Sequence, residues 1–290
     1  MIKGIEIVKN KEKIKIILDT DLYNECDDQF ALTYVLKSLD VFDLKAITIA
    51  PYSNKICSVK NGLDLSFNEA IKICKWLGFD YKNKVFKGCG DYLVNGYDAE
   101  NEAVDKIIDI ALKNDKVYIL AIGALTNLAL AIKKEPKIID KISIIWLGGQ
   151  SLLQDKNDDY NFKQDIKAVK IVFESNVDLT VIPCKNVASN LLTSIYELKH
   201  HLKNDELSKY LIERFSYDEY YGSQERRVVW DISVVAFMIN KDWFEYKLMT
   251  RPEISEQGCY VFNEKGKEMT MVTYLNSIEI FKDLFTRLKN

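Results

Sequence analysis

Ten residues near the start of the chain, Asp19-Thr20-Asp21-Leu22-Tyr23-Asn24-Glu25-Cys26-Asp27-Asp28, carry five acids and no lysine or arginine. Carboxylates crowded together repel one another and raise each other's pKa, and a bound cation removes that conflict. A donor set of oxygens alone, without His or Cys, suits a hard ion, calcium or magnesium. Calcium accepts about six to eight oxygens, backbone carbonyls included, so it fits a cluster at a strand end better than magnesium does. A plainer reading makes the segment a solvated acidic loop, with Asp27 and Asp28 stabilising the start of a helix. That reading leaves out Asp19 and Asp21, which end a run whose other residues belong inside. A further acid, Asp231, stands alone in the nearly all-apolar Val228-Val229-Trp230-Asp231-Ile232-Ser233-Val234-Val235-Ala236. It either caps a helix or is delivered inward to the same ion.

Other chemistries are poorly provided for. The only histidines are His200 and His201, adjacent in a polar stretch, which argues against a His-ligated metal enzyme or a Ser-His-Asp hydrolase. Carboxylates must therefore carry most of any reaction. The six cysteines show no C-x-x-C pair and no zinc spacing, and read as reduced thiols of a cytoplasmic protein. A balance of 40 basic against 43 acidic residues argues against a nucleic-acid partner. No apolar run approaches the ~20 residues of a membrane-spanning helix. Met1 to Lys13 alternates charges and does not read as a secretory signal.

The elements that must position these acids follow from periodicity. Short apolar runs rich in Ile and Val recur at Ile14 to Leu18, Leu44 to Ala50, Val117 to Ile122, Ile142 to Leu147 and Leu179 to Ile182. They have the character of strands buried on both faces of a parallel sheet. Between them Phe30, Leu32, Val35, Leu36 and Leu39 recur at helical spacing, as do Ala103, Val104, Ile107, Ile108, Ala111 and Leu112, and Leu125, Leu128, Ala129 and Ile132. Strand and helix in alternation predict an α/β fold, a doubly wound and mostly parallel sheet flanked by helices. Ligands bind at the carboxyl ends of such strands, which directs attention to 19–28, 51–54, 123–127, 148–161 and 183–190. His200 to Glu225 reads as polar, helical and aromatic, a further helix starts near Asp231, and β-like segments (Tyr260 to Phe262, Met269 to Val272) precede a closing helix at Ser277 to Leu288. With four Pro, twelve Gly and no linker, residues 1–290 read as one domain with a helical lid in the C-terminal third.

At this point the residues resemble a known family, the inosine–uridine-preferring nucleoside hydrolases. Asp19-Thr20-Asp21 followed by Asp27-Asp28-Gln29-Phe30-Ala31 is similar to its signature. Ala121-Ile122-Gly123-Ala124-Leu125-Thr126-Asn127 resembles its Gly-Pro-Leu-Thr-Asn turn, Trp146-Leu147-Gly148-Gly149 its Met-Gly-Gly segment, and Asp159-Tyr160-Asn161-Phe162 with Asp165 its Glu-Phe-Asn…Asp-Pro segment. Trp230-Asp231 falls where the family has His-Asp. The resemblance implies a calcium ion held by Asp21, Asp28, the backbone carbonyl of Thr126 and Asp231. Asp21 would be the general base, Asp27 would bond the ribose 2′-hydroxyl, Asn161 would hold ribose hydroxyls, and Asp159 would meet the 5′ end. Asp19 would fix the loop. It also implies a small-molecule ribonucleoside as substrate, a role in purine or pyrimidine salvage, and a homo-oligomer, dimer or tetramer.

The sequence departs from the family at several points. The loop between Asp21 and Asp27 is two residues longer than the usual Pro-Gly-x form and brings Asn24 and Glu25, as in a divergent branch with an Asn-Glu-x-Asp-Asp form; Asn24 is a candidate substrate contact. Trp230 replaces a His that helps protonate the leaving base in purine-preferring members, and an indole is no acid at neutral pH. It is either a packing aromatic or a platform on which the base stacks. Tyr217, Tyr220 and Tyr221 are alternative sources of a hydroxyl, and Asn54 stands near the family's Gly-Asn. Two other functions use some of the same residues. One is a relative that binds a nucleoside or sugar without turnover. The other is a haloacid dehalogenase-type phosphatase with magnesium, in which Asp19 would be nucleophile and Asp21 acid; it does not predict Asp27-Asp28, the Leu-Thr-Asn turn or Asp231.

Overall fold

Runs of β-branched and large apolar residues with no polar break are satisfied only by burial on both faces, and this is where the central strands lie. The computed structural model describes residues 12–154, 156–218, 222–262 and 266–290. Its first six strands are β1 (Ile14–Thr20), β2 (Phe42–Ile49), β3 (Val85–Lys87), β4 (Val117–Ala121), β5 (Ile142–Leu147) and β6 (Asp178–Ile182). Between them run α1 (Asp27–Leu36), α2 (Val59–Trp76), α3 (Glu102–Leu112), α4 (Thr126–Lys134), α5 (Tyr160–Gln164) and α6 (Ile166–Glu174). The last third holds β7 (Leu192–Ser194), α7 (Ile195–His201), α8 (Glu206–Ser216), β8 (Tyr217–Asp218), β9 (Gly222–Ser223), β10 (Arg226–Val228), α9 (Ile232–Ile239), β11 (Phe244–Thr250), β12 (Glu253–Ile254), β13 (Tyr260–Val261), β14 (Glu268–Leu275) and α10 (Ser277–Lys289).

The main sheet has eight strands in the order β11-β14-β6-β5-β4-β1-β2-β3. Neighbours from β3 to β14 pair in parallel, and only β11 runs antiparallel, against β14. The chain lays β2 and β3 on one side of β1, then returns to lay β4, β5 and β6 on the other. The strand order therefore reverses between β1 and β4, and a crevice opens there at their carboxyl ends. Alternation along β1 feeds two cores. Ile16 and Leu18 join Phe30 of α1, Ala70 of α2 and Val234 of α9 on one face, while Ile17 joins Val104 of α3, Leu128 of α4 and Val169 of α6 on the other.

The expected strands are β1, β2, β4, β5 and β6, and the predicted mostly parallel sheet between helices is the observed fold. Both edges were hidden from periodicity. β3 has three residues, and β11 exposes Glu245, Tyr246, Lys247 and Leu248 in succession, so neither forms an apolar run. The stretch from His200 to Glu225 is helical only to Ser216, after which short ladders take over. α8 packs on α1 and α2. The β-like segments at Tyr260 to Phe262 and Met269 to Val272 fall at β13 and β14, and β14 extends the main sheet beside β6. Among the described residues no helix is long and apolar enough to cross a membrane. Residues 1–11, including most of the segment read as lacking a secretory signal, lie outside the described residues.

Candidate active site

The acids reach the crevice because β1 runs straight into it. Asp19, Thr20 and Asp21 are buried, and the chain then turns sharply, the Asn24 amide donating to the Asp21 carbonyl at 2.8 Å. The longer loop is anchored by its apolar members, Leu22 and Cys26, both buried, and by the Gln29 side-chain amide, which donates to the Leu22 carbonyl at 2.9 Å. Asp27 and Asp28 open α1, where the free amides of a helix N-terminus favour negative charge. They are nevertheless buried, at 4% and 2% exposure, which removes the reading of a solvated loop. Asp28 accepts a bond from the Thr20 hydroxyl at 2.5 Å. Asp21 accepts one from the Asn24 carboxamide at 3.1 Å.

Asp231 arrives on α9, which packs against α1. It occupies the cap position of that helix, yet its side chain makes no cap bond. Instead one carboxylate oxygen from each of Asp27, Asp28 and Asp231 lies within 4.8 Å of the others, all three buried. The preceding residue is tied to the same group, the Trp230 backbone N–H donating to Asp27 at 3.1 Å. Burial, then the neighbouring carboxylates, raises Asp28 and Asp231 well above the ordinary carboxylate range. Asp21 is raised chiefly by burial, with Asp27 and Glu25 adding to it. Burial followed by Glu25 pushes Asp27 up to about 7. Four acids held this way favour either protons or a cation.

A cavity of about 280 Å³ opens on Asp21, Asp27, Asp28 and Asp231 and is lined also by Asn24, Trp230, Asp159 and Asn161. Asn161 lies on its wall because its amide donates to the carbonyls ending two strands, Ile122 at 3.1 Å and Leu147 at 3.0 Å. With the amide nitrogen so engaged, its carbonyl oxygen is what it can offer a ligand. Asp159 caps α5 through one oxygen, accepting from the Phe162 amide at 3.1 Å. Its other oxygen is buried without a bond, and burial pushes the group up to about 7.

Four of the residues named from the sequence, Thr126, Asp19, Asn54 and Tyr217, stand outside the cavity lining, and for Asp19 this is the expected place. The expectation for Thr126 concerns its backbone carbonyl, not its side chain. Thr126 opens α4, wholly buried, and its hydroxyl donates to Asp165 at 2.9 Å. The residue of that turn which lines the cavity is Ile122. Between the two lies a close approach at Gly123, where a Cβ would sit 2.9 Å from Ala50 and 3.1 Å from an Asp21 oxygen. Asp19 is likewise set back from the cavity lining. It accepts from Thr48 at 2.6 Å and from Asn127 at 2.9 Å, and burial pushes it up to about 6. Asn54 bonds Asn24 at 3.5 Å and does not line the cavity. Tyr217 is exposed and outside the lining, and Tyr220 and Tyr221 lie outside the described residues.

Other lining residues went unnoticed. Cys184 and Lys185 follow β6, a strand end that the ligand rule pointed to without singling out a residue. Lys185 donates to both oxygens of Asp158 at 2.8 Å, Gln150 donates to Asp158 at 2.7 Å, and the Lys185 backbone amide donates to Gln150 at 2.9 Å. This ring closes one edge of the cavity, and no motif announces it.

The sequence profile of the inosine-uridine preferring nucleoside hydrolases matches residues 16–280. The chain belongs to that family. The nucleoside hydrolase match takes in β1 through the start of α10 and thus every acid of the cavity. A probable ribonucleoside hydrolase of Dictyostelium discoideum is 33% identical over 84 residues, 28% of this chain and 25% of that protein. A probable uridine nucleosidase 2 of Oryza sativa subsp. japonica is 31% identical over 102 residues, 33% of this chain and 29% of that protein. The matched part thus spans about a quarter of the length of these curated relatives. A plant nucleoside hydrolase of known structure superposes with a TM-score of 0.77 at 18% identity, covering 95% of this chain and 99% of that one. At that identity the likeness establishes the nucleoside hydrolase fold.

Proposed function

We propose that the protein is a ribonucleoside N-ribohydrolase, cleaving the N-glycosidic bond with water to give ribose and free base. One observation carries this reading. Asp231, about two hundred residues from the acidic loop, meets Asp27 and Asp28 in the cavity that Asp21 and Asn161 also line.

The donor set fits a hard divalent cation. It is made of oxygens, it is buried, and its carboxylates raise one another's pKa. In this reading calcium would be held by Asp21, Asp28, Asp231 and the backbone carbonyl of Thr126. When bound, the ion would lower the pKa of a water and hold the ribose diol. Asp21, oriented by Asn24, is the general base that would accept the proton of the attacking water. Asp27 accepts from the 2′-hydroxyl, Asn161 offers its carbonyl oxygen to ribose hydroxyls, and the unbonded oxygen of Asp159 receives the 5′-hydroxyl. The same negative charge stabilises the oxocarbenium-like ribose as its bond to the base breaks. Trp230 offers the base an apolar wall and no acid. A phosphatase with Asp19 as nucleophile is disfavoured, because Asp19 is buried beneath Thr48 and Asn127. Action in nucleoside salvage, in the cytoplasm and as a homo-oligomer is proposed on the family resemblance.

The test is a panel of ribonucleosides assayed for reducing sugar, with and without chelator. Turnover that chelator abolishes and calcium restores is expected. Tight nucleoside binding with no base released would instead identify the binding relative, and phosphate release from an aryl phosphate would identify the phosphatase.

A further inference from the structure

Glu25, the acid brought by the longer loop, has no part in the scheme above, yet it lines the cavity. It accepts a bond at 3.3 Å from the guanidinium of Arg227, which comes from 202 residues further along the chain. The Arg227 side chain is only 8% exposed. It is placed by the β10–β7 ladder, in which Arg227 stands opposite Thr193. Thr193 in turn donates to Glu197, a member of the capping box that starts α7. The arginine is therefore built into the fold.

A second cleft, of about 320 Å³, adjoins the cavity. Glu25 and Trp230 line both, and Gln224, Arg226, Arg227 and Val228 complete it. Another edge of the cavity is closed by the Gln150–Asp158–Lys185 ring. A ribose held by the acids thus has room for its base on the Trp230 side. Breaking the C1′–N bond leaves the electron pair on the base, so the base departs as an anion unless something protonates it. The carboxyl on this edge, Glu25, is engaged by the Arg227 guanidinium, and Gln224, Val228 and Trp230 carry no acid. His201 is stacked on Phe285, with centroids 4.4 Å apart, at the far end of α7.

We propose that the base occupies the cleft past Trp230, where the Arg227 guanidinium, held in place by Glu25, offsets the negative charge that the base carries away. The proposal rests on the hydrolase reading above. Water adds to C1′, its proton goes to Asp21, the C1′–N pair goes to the base, and the departed base takes a proton from solvent. Arg227 acts on the leaving group, and Glu25 is a positioning residue.

The experiment compares nucleosides with 4-nitrophenyl β-D-ribofuranoside, whose leaving group is already a stable anion, in the calcium-loaded full chain. R227Q is expected to lower kcat/KM for nucleosides at least a hundredfold, with a loss at least tenfold smaller on the aryl riboside. R227K should recover part of the nucleoside activity, and E25Q should show a smaller loss of the same pattern. Equal losses on both substrates, or no loss on either, would overturn the proposal while leaving the hydrolase reading intact. A wild-type chain that splits neither substrate would overturn both. If R227Q does not fold, R227K and the neutral double variant E25Q with R227Q carry the same comparison.

Discussion

Asp231 stands where a helix cap would be and does not cap; its carboxylate turns instead toward Asp28, across the junction of α9 and α1. An isolated cap is worth about 1 kcal/mol, whereas a buried acid facing other acids costs stability unless something offsets its charge. D231N should therefore raise the melting temperature of the chelated protein by about 2–4 °C per kcal/mol of repulsion relieved. It should also weaken calcium binding at least tenfold by titration calorimetry. A variant that binds calcium as the wild type does would remove Asp231 from the ion site.

The raised carboxyls set a pH dependence. Asp19, Asp27 and Asp159 stand at about 6, 7 and 7 when folded, against an ordinary value of 3.8. The folded state thus holds their protons more tightly than the unfolded one. Their contribution is fully present below pH 3.8 and is lost as pH rises through about 7. Melting of the chelated protein should fall across that window. Calcium should raise the melting temperature more at pH 7 than at pH 5, where the ligands are partly protonated. A calcium effect independent of pH would contradict this.

Asp21 is oriented by Asn24 and carries the proton transfer in the proposed reaction. D21A should lower kcat by about 100- to 10,000-fold, the range for loss of a general base, while circular dichroism stays unchanged. Turnover within tenfold of wild type would place the base elsewhere.

Gly123 lets the end of β4 touch Asp21. In G123A the added Cβ would meet Ala50 at 2.9 Å and an Asp21 oxygen at 3.1 Å, so the carboxylate must shift by a few tenths of an ångström. Activity should fall at least tenfold, because a misplaced reacting group costs rate, and the melting temperature should fall as well, because Ala50 is fully buried and must also give way. Wild-type activity in the folded variant would show that the approach at Gly123 does not position Asp21.

Much of this protein was legible along the chain. Five central strands could be read because burial on both faces demands uninterrupted Ile and Val, and the acidic run after β1 could be read because five acids without a counter-charge are uncommon at a strand end. Tertiary structure alone decided which of those acids meet. Asp19 and Asp21 are two residues apart and equally acidic, but the strand end turns one under Asn127 and the other into the cavity. Thr126 and Ile122 belong to one motif, yet only Ile122 is among the residues that line the cavity. Glu25 and Arg227, like Gln150 and Lys185, are paired by ladders and turns between distant segments, a relation of space that leaves no periodic trace. Local pattern encodes what a residue must be buried against; which charges end up facing one another depends on how the whole sheet closes.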